Sequence, residues 1–201
     1  MPSVRRALIS CHDKTGVVEL ARLLHEFDVE VVSTAGTLKV LQEADIDAVS
    51  IGDYTGVAEM MDGRVKSLHS KVHAGLLGIR EKKLHVEQLT AAGYHWIDFC
   101  IVNLHPVESV IRQPSVTLEE VIDQIDIGGT AMIRSAAKNF RYVTVVVNPD
   151  RYTSVMHELR AHDGEVTYKT RYRLAQEAFA QTAEYDRVIA NYLLQCEPRE
   201  E

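Results

Sequence analysis

One short segment of this chain is rich in basic residues. Between Gly63 and Gly75 the sequence carries three cations and two histidines, although the net charge of the whole chain is −7. These side chains are Arg64, Lys66, His69, Lys71 and His73. Such a cluster in an acidic protein is typical of a site for an anionic substrate, and it is equally compatible with a solvated charged face. The histidines lack the HExxH spacing of a metal site.

Two loops rich in hydroxyl groups follow predicted strands. Residues 33–37 read Ser-Thr-Ala-Gly-Thr between a buried strand and a helix, so hydroxyls, backbone N–H groups and a helix N-terminus converge there. This combination predicts a phosphate site, to which Lys14 in the loop at residues 10–16 would add a positive charge. The alternative is two ordinary turns whose side chains cap helices. The capping candidates are Asp13, Thr15, Thr34 and Thr37.

An acid and two glycines stand together further along the chain. Asp126 precedes Gly128 and Gly129 at the predicted start of a helix, where free N–H groups would stabilise an oxyanion and the carboxylate would accept a proton. His105 follows the most apolar predicted strand, and active sites of open α/β sheets lie at strand ends. We therefore treat His105 as an acid–base candidate. The alternatives are a tightly packed helix start and a structural histidine.

These segments need a framework that brings them together. Short apolar runs alternate with helical patterns, which predicts an α/β, Rossmann-like fold: a mostly parallel sheet flanked by helices, with a helical C-terminal extension. The predicted strands are residues 7–10, 29–33, 48–51, 96–104 and 143–147. The predicted helices begin after Thr15 and near Gly36, cover 84–92, begin at Thr117 with a capping box to Glu120, cover 128–138, and extend from about Lys169 to the end.

Composition limits the class of protein. Hydrophobic residues make up 46% and charged residues 25%, as expected of one globular domain over residues 1–201. The net charge of −7 argues against nucleic-acid binding, and no apolar run is long enough for a membrane span. Residues 1–6 lead into a strand and not into a signal segment. Three cysteines without a CxxC pair indicate reduced thiols and a cytoplasmic protein.

Taken in order, these segments resemble the inosine-monophosphate (IMP) cyclohydrolase domain of the bifunctional purine-biosynthesis family. The matching blocks lie within residues 10–16, 35–37, 63–66, 68–75, 103–104, 125–129 and 136–139. The resemblance implies a fold like that of methylglyoxal synthase. It implies that the carboxamide nitrogen of a formylated aminoimidazole-carboxamide ribonucleotide attacks the formyl carbon, with loss of water and without metal or organic cofactor. A separate formyltransferase is expected to supply the substrate, because 201 residues leave no room for the family's second domain.

The resemblance also implies a role for each residue. Lys66 would polarise the formyl oxygen, Asp126 would engage the carboxamide, and Lys138 would assist electrostatically. A straight helix would separate Lys138 from Gly128 by about 15 Å. The backbone groups implied to meet the developing charge are those of Ile127, Gly128 and Gly129. The implied substrate- and phosphate-binding residues are Ser10, His12, Lys14, Ser33, Thr34, Gly36, Thr37, Arg64, Ser67 and Asn103.

His105 is the residue at which the chain departs most from the family, which usually carries tyrosine there. Imidazole titrates near neutrality and bonds differently from phenol, so two alternatives stay open. One is a paralogue that closes the ring of a purine-analogue ribonucleotide in specialised nucleoside biosynthesis, and the other is a non-catalytic nucleotide sensor. The family further implies a homodimer, with a candidate face on the long C-terminal helix. That face comprises Leu174, Ala178, Tyr185, Ile189 and Leu193, which core packing would explain equally well.

Overall fold

Five parallel strands form the sheet in the part of the chain that the structure describes. The computed structural model describes residues 6–196. The strands are β1 (Arg6–Cys11), β2 (Glu30–Ser33), β3 (Val49–Ser50), β4 (Phe99–Asn103) and β5 (Thr144–Val146), in the order β3-β2-β1-β4-β5. The predicted α/β class and mostly parallel sheet are confirmed.

The central strands β1 and β4 each carry a continuous run of buried apolar residues because helices cover the sheet. All residues of Phe99–Asn103 are buried, and Ala7, Leu8 and Ile9 of β1 are fully buried. Side chains of a strand alternate between the two faces, so a continuous buried run requires cover on both. The most apolar predicted strand is thus the core strand β4, which pairs with β1 on one side and β5 on the other.

Ten helices occur among residues 6–196. They are α1 (Val17–Glu26), α2 (Ala35–Glu43), α3 (Ile51–Thr55), α4 (Ser70–Leu77), α5 (Lys83–Ala91), α6 (Val107–Ile111), α7 (Leu118–Asp123), α8 (Ile127–Lys138), α9 (Tyr152–Ala161) and α10 (Tyr168–Leu193), with a 3-10 turn at Pro149–Arg151. Helix α8 packs on β4 and contacts α4 and α10, while α1 packs on β2 and α2 on β1. None of the helices in this described part is long and apolar enough to cross a membrane.

The structure corrects several local expectations. Thr15 does not cap α1, because Gly16 takes the N-cap position with a φ of 71° and no side chain caps the helix. The expected third strand stops at Ser50, whose hydroxyl caps the new helix α3. The capping box of Thr117 and Glu120 is confirmed at the start of α7. Helix α4 was not predicted, and the predictions for residues 1–5 and 197–201 lie outside the described residues.

Three of the five residues of the expected dimer face on the last helix belong to the core, whereas Ile189 is partly buried and Leu193 is 42% exposed. Leu174, Ala178 and Tyr185 are 4%, 0% and 8% exposed, because α10 packs against α8 and β5. The alternative of core packing is therefore the correct one for these residues. Helix α10 covers the edge of the fold and reaches the start of α8 through Tyr185.

The strand order places a crevice between β1 and β4. From β1 the chain moves to β2 and β3 on one side, whereas from β4 it moves to β5 on the other. Ligands of open α/β sheets bind at such a switch point, beyond the carboxyl ends of the strands. Cys11 and Asn103 are register partners at this end, so the loops that follow them are neighbours.

Candidate active site

A cavity of about 460 Å³ opens at this switch point. Its volume lies within the range of about 300–1,000 Å³ that is usual for small-molecule sites. It joins the end of β1 and the loops after β2 and β4 to the segment that precedes α4, the end of α7 and the start of α8. The predicted site residues that line it are Ser10, Thr34, Arg64, Lys66, Ser67, His105, Asp126, Ile127, Gly128 and Gly129.

One wall of the cavity carries two hydroxyl groups at the start of α2. The Oγ of Ser10 and the Oγ1 of Thr34 are 2.8 Å apart, and the Thr34 side chain makes no cap hydrogen bond to the helix. Gly36 in the first turn of α2 is exposed, and a Cβ atom there would meet no atom within 4 Å. Packing therefore does not require glycine at this position, and the helix start is open for a ligand to approach its N–H groups.

Two further predicted hydroxyls are used by the protein itself. Thr37 Oγ1 accepts a hydrogen bond from the Cys11 N–H at 2.9 Å and donates one to the Cys11 carbonyl at 3.1 Å. Ser33 Oγ donates to the carbonyl of Ile9 at 2.9 Å. Both residues are buried, at 1% and 0% exposure. These side chains hold β1 beside β2 and do not line the cavity.

The loop after β1 is fastened to β4. The side-chain amide of Asn103 accepts a hydrogen bond from the Asp13 N–H and donates one to the Asp13 carbonyl, both at 2.8 Å. Asn103 therefore positions the loop and does not line the cavity. Lys14, at the end of this loop, donates to the His12 carbonyl at 3.1 Å. Within residues 6–196 no carboxylate lies within ion-pair distance of Lys14, so its charge is not neutralised.

The basic segment supplies two cations with different surroundings. A turn with φ of 53° at Asp62 and 87° at Gly63 reverses the chain before Arg64 and Lys66. Arg64 forms an ion pair with Asp123 of α7 at the cavity rim. Lys66 is half-buried and lines the cavity, and the described part of the chain offers it no ion-pair partner. Lys66 is thus the cation available to a negative charge inside the cavity.

Asp126 caps α8, and this changes the expected use of the helix start. Its Oδ1 accepts the N–H of Gly129 at 2.6 Å, so that N–H is not free for an oxyanion. A Cβ on Gly129 would lie 2.4 Å from Asp126 Oδ2, and one on Gly128 would lie 2.4 Å from the Oγ of Ser67. The glycines therefore let the carboxylate and the Ser67 hydroxyl lie against the helix. The N–H groups of Ile127 and Gly128 are the donors that stay unpaired at this end among the described residues.

The imidazole of His105 lies between the first loop and the start of α8. Its ring packs edge-to-face on that of His12, with centroids 4.4 Å apart and an interplanar angle of 74°. Burial lowers the pKa of His105 from its ordinary value of 6.5, His12 lowers it further, and Asp126 acts in the opposite direction. The ring is therefore neutral at pH 7. His12 itself is exposed and does not line the cavity.

Lys138 is not brought to this cavity. It is exposed at the last position of α8, while Asp126 caps the first turn. The helix begins where the sequence places it, so the distance of about 15 Å along its axis stands. The implied electrostatic role of Lys138 at the reacting centre is therefore not supported within this chain.

One contact to the site carries no local sequence signal. The hydroxyl of Tyr185 in α10 accepts a hydrogen bond from the Asp126 N–H at 2.9 Å, across 59 positions of the chain. Tyr185 thereby fixes the backbone of the capping residue. No cluster of three or more potential metal ligands occurs among the residues that the structure describes.

A larger cavity, of about 740 Å³, lies at the opposite end of the strands, where β4 and β5 begin. Its arginines are already engaged. Arg80 pairs with Asp98 at 2.8 Å, and Arg171 donates to the carbonyls of Phe140 and Arg141, each at 2.9 Å. The smaller cavity, with its unpaired lysine and its strand-end loops, is therefore the better candidate for an anionic ligand.

Comparison with known proteins identifies the family. The model of the MGS-like domain matches residues 16–131, and that of the AICARFT/IMPCHase bienzyme matches residues 136–201. Among curated relatives, the bifunctional purine biosynthesis protein PurH of Neisseria meningitidis serogroup A is 48% identical over 96% of this chain and 36% of its own length. PurH of Chlorobium chlorochromatii is 50% identical over 96% of this chain and 37% of its own length.

The chain spans little more than a third of the length of these relatives. A solved structure, that of ForH, matches with a TM-score of 0.89 and 30% identity, and it covers 97% of this chain and 100% of ForH. The resemblance drawn from the ordered sequence blocks is confirmed. This chain belongs to the MGS-like domain family.

Proposed function

We propose that this chain is an IMP cyclohydrolase, whose single domain covers residues 1–201. The observation that carries the proposal is one cavity that joins an unpaired lysine, a helix-capping carboxylate and a neutral imidazole to a hydroxyl-lined helix start. These groups are Lys66, Asp126, His105, Ser10 and Thr34. Relatives 48% and 50% identical to this chain are bifunctional purine biosynthesis proteins, which supports the same assignment.

The proposed reaction needs three kinds of help, because a carboxamide is a weak nucleophile. The start of α2 and Lys14 hold the phosphate, which fixes the carboxamide nitrogen beside the formyl carbon. Asp126 accepts the proton that the nitrogen loses as the new C–N bond forms. The Lys66 ammonium stabilises the negative charge on the formyl oxygen and supplies a proton to it. The ring is then closed, and loss of the new hydroxyl group together with a proton from a ring nitrogen releases water and forms the C=N bond. Neither redox chemistry nor an organic cofactor is needed.

The alternatives from the sequence are not favoured. An analogue-specific paralogue and a nucleotide sensor both lack support from the curated relatives named above, which are purine biosynthesis proteins. A sensor would also have no use for the proton-transferring groups of the cavity. We retain the ordinary purine precursor as the proposed substrate.

We propose a cytoplasmic homodimer that receives its substrate from a formyltransferase outside residues 1–201. Of the five α10 residues at apolar spacing, Leu174, Ala178 and Tyr185 pack inside the fold, whereas Ile189 is partly buried and Leu193 is 42% exposed. Exposed apolar side chains at the cavity rim offer another face, among them Ile122 at 39% and Ile127 at 59% exposure. Light scattering at micromolar concentration tests the dimer, and a fully active monomer would contradict it.

The activity is tested by incubating the purified chain with formylated aminoimidazole-carboxamide ribonucleotide. We expect enzyme-dependent loss of one water by mass spectrometry and formation of a product that coelutes with IMP. The Lys66→Ala variant serves as the matched protein control. Product formation at the rate of the uncatalysed reaction would contradict the proposed function, and activity abolished by a chelator and restored by zinc would contradict its independence of metal.

A further inference from the structure

Two imidazole rings meet at the switch point of the sheet. His12 follows β1, His105 follows β4, and these strands are neighbours whose last register pair is Cys11 with Asn103. The rings pack edge-to-face with centroids 4.4 Å apart. We propose that the neutral ring of His105 donates a hydrogen bond from Nε2–H to the oxygen of the reacting formyl group. His12 is the positioning residue of this donor.

The surroundings of the two ring nitrogens of His105 select the tautomer. Nδ1 is shielded from solvent and has no hydrogen-bond partner among the described residues. A buried N–H without an acceptor is rarer in proteins than an unpaired acceptor atom. The lone pair therefore belongs on Nδ1 and the hydrogen on Nε2. Nε2 is not shielded in this way, and His105 lines the cavity, so the hydrogen is available to a ligand.

Protonation of His105 would place a hydrogen on both nitrogens, including the shielded Nδ1. The imidazolium would thus carry a buried donor without a partner, next to a second imidazole. The His12 ring, whose centroid is 4.4 Å away, also disfavours a positive charge on His105.

The charges around the pair come from four elements. Asp126 at the start of α8 favours protonation of His105, whereas His12 opposes it. Lys66 and Arg64 of the basic segment share the cavity, and Arg64 is paired with Asp123 of α7. His12 is itself flanked by Asp13 and Lys14. Burial and His12 thus oppose protonation of His105, Asp126 alone favours it, and the balance lowers the pKa of the ring.

The ring contact is held by the backbone of both loops. The His12 N–H donates to the carbonyl of Asn103 at 3.3 Å, and the Asn103 side chain holds Asp13 on both of its backbone groups. The two rings are therefore mounted on segments that are fixed to each other. A neutral imidazole in such a place polarises a carbonyl-type oxygen without carrying a charge, and it complements the cation of Lys66.

Nitrogen-15 NMR of the imidazole rings tests the pair without reference to activity. We expect the His105 ring of the full chain at pH 7 to be the neutral Nε2–H tautomer. A cationic ring or the Nδ1–H tautomer would overturn the proposal. In His12→Phe, which keeps an aromatic ring but cannot be charged, the pKa of His105 should rise while the tautomer persists. An unchanged pKa in that variant would overturn the role of His12.

Two variants of His105 test the donor in the reaction and rest on the proposed function. The amide nitrogen of His105→Gln supplies a neutral donor near the position of Nε2 but transfers no proton. We expect its kcat to stay within about tenfold of the wild type, whereas His105→Phe loses about 10²-fold. Equal losses in both would overturn the donor role, and His157→Gln on α9 is the control for the chemical change. A wild-type chain without cyclohydrolase activity would instead refute the proposed function. The NMR experiment would still test the tautomer of His105 and the effect of His12 on its pKa.

Discussion

Lys66 and Lys14 carry the same charge but have different proposed roles, in catalysis and in phosphate binding. Lys66 lines the cavity near Asp126, whereas Lys14 lies on the loop that leads into α1. The charge that Lys66 meets develops only during addition, so Lys66→Ala should lower kcat by about 10²–10³-fold. The phosphate near Lys14 is charged throughout, so Lys14→Ala should mainly raise KM.

Steady-state kinetics of the two variants measures this division. Lys39→Ala on α2 is a matched control, because Lys39 is exposed and its contact is an i,i+4 pair with Glu43. That variant should leave both parameters unchanged. If Lys66→Ala and Lys14→Ala change the same parameter by the same factor, the two lysines do not divide binding and chemistry in this way.

At the residue scale the sequence predicted well which side chains lie near the site. It predicted less well which groups those side chains contact. Residue types at strand ends placed Ser10, Thr34 and His105 at one cavity. The same reasoning gave Thr37 a ligand, although its hydroxyl bonds both backbone groups of Cys11. A hydroxyl group bonds to a partner that the tertiary fold brings near it. The spacing of residues in the sequence does not reveal which group that partner is. Asn103 fastens a loop for the same reason.

At the element scale, variants at the start of α8 can distinguish the negative charge of Asp126 from its hydrogen bond as helix cap. Asparagine caps a helix as well as aspartate does, so Asp126→Asn should unfold at nearly the wild-type denaturant concentration but lose about 10²-fold in kcat. Asp126→Ala loses the bond to the Gly129 N–H as well and should unfold more easily, by about 0.5–2 kcal/mol. Urea unfolding and kinetics on the three proteins measure both effects. Wild-type kcat in Asp126→Asn would show that the carboxylate serves only as a cap.

The start of α2 gives a second test at this scale. A Cβ on Gly36 meets no protein atom within 4 Å, and alanine favours helix over glycine, so Gly36→Ala should stabilise the fold by about 0.5–1 kcal/mol. The same methyl group would stand where the phosphate approaches the N–H groups, so KM should rise. In Gly36→Ala the thermal unfolding temperature should therefore rise while the apparent affinity for the substrate falls. A stabilised variant with unchanged KM would place the phosphate elsewhere.

Elements with strong local signals were predicted, and those fixed by tertiary contact were not. The capping box at Thr117 and the apolar run of β4 are local features, and both appear as expected. Helix α4 is short and mixes charged and apolar residues, so its sequence shows no clear helical periodicity of apolar residues. Gly75 of this helix leaves only 2.7 Å between an added Cβ and the carbonyl of His95, which shows that close packing determines its place.

At the scale of the whole molecule, α10 shows what an apolar period can and cannot tell. The 26-residue helix has an apolar face at helical spacing, which fits a dimer interface or a core equally well. The structure assigns the buried part of it to the core, over α8 and β5, and Tyr185 extends that contact to the capping residue Asp126. Only the three-dimensional arrangement separates the two possibilities, because both bury the same side chains.

Stability of the whole fold should depend on pH through histidines that the native state holds neutral. His73 lies between α4 and α8, with Nδ1 3.0 Å from the Ser135 hydroxyl, and burial lowers its pKa from 6.5. His105 is shifted in the same direction. In the unfolded chain both rings take up protons as the pH falls through 6.5, whereas in the native state they do so only at lower pH. The unfolded state therefore gains protons first, and stability is complete above pH 6.5 and declines as the pH falls through the native pKa values.

Urea midpoints between pH 7.5 and 5 measure this decline, in a range above the titration of ordinary carboxylates near pH 4. In His73→Gln the side chain keeps polar groups for Ser135 but cannot be charged, so its decline should be smaller than that of the wild type. His157→Gln, on the exposed side of α9, is the control variant and should retain the full decline because its side chain is not packed in the fold. An equal decline in the wild type and in His73→Gln would mean that other groups, and not the histidine between α4 and α8, weaken the fold at low pH.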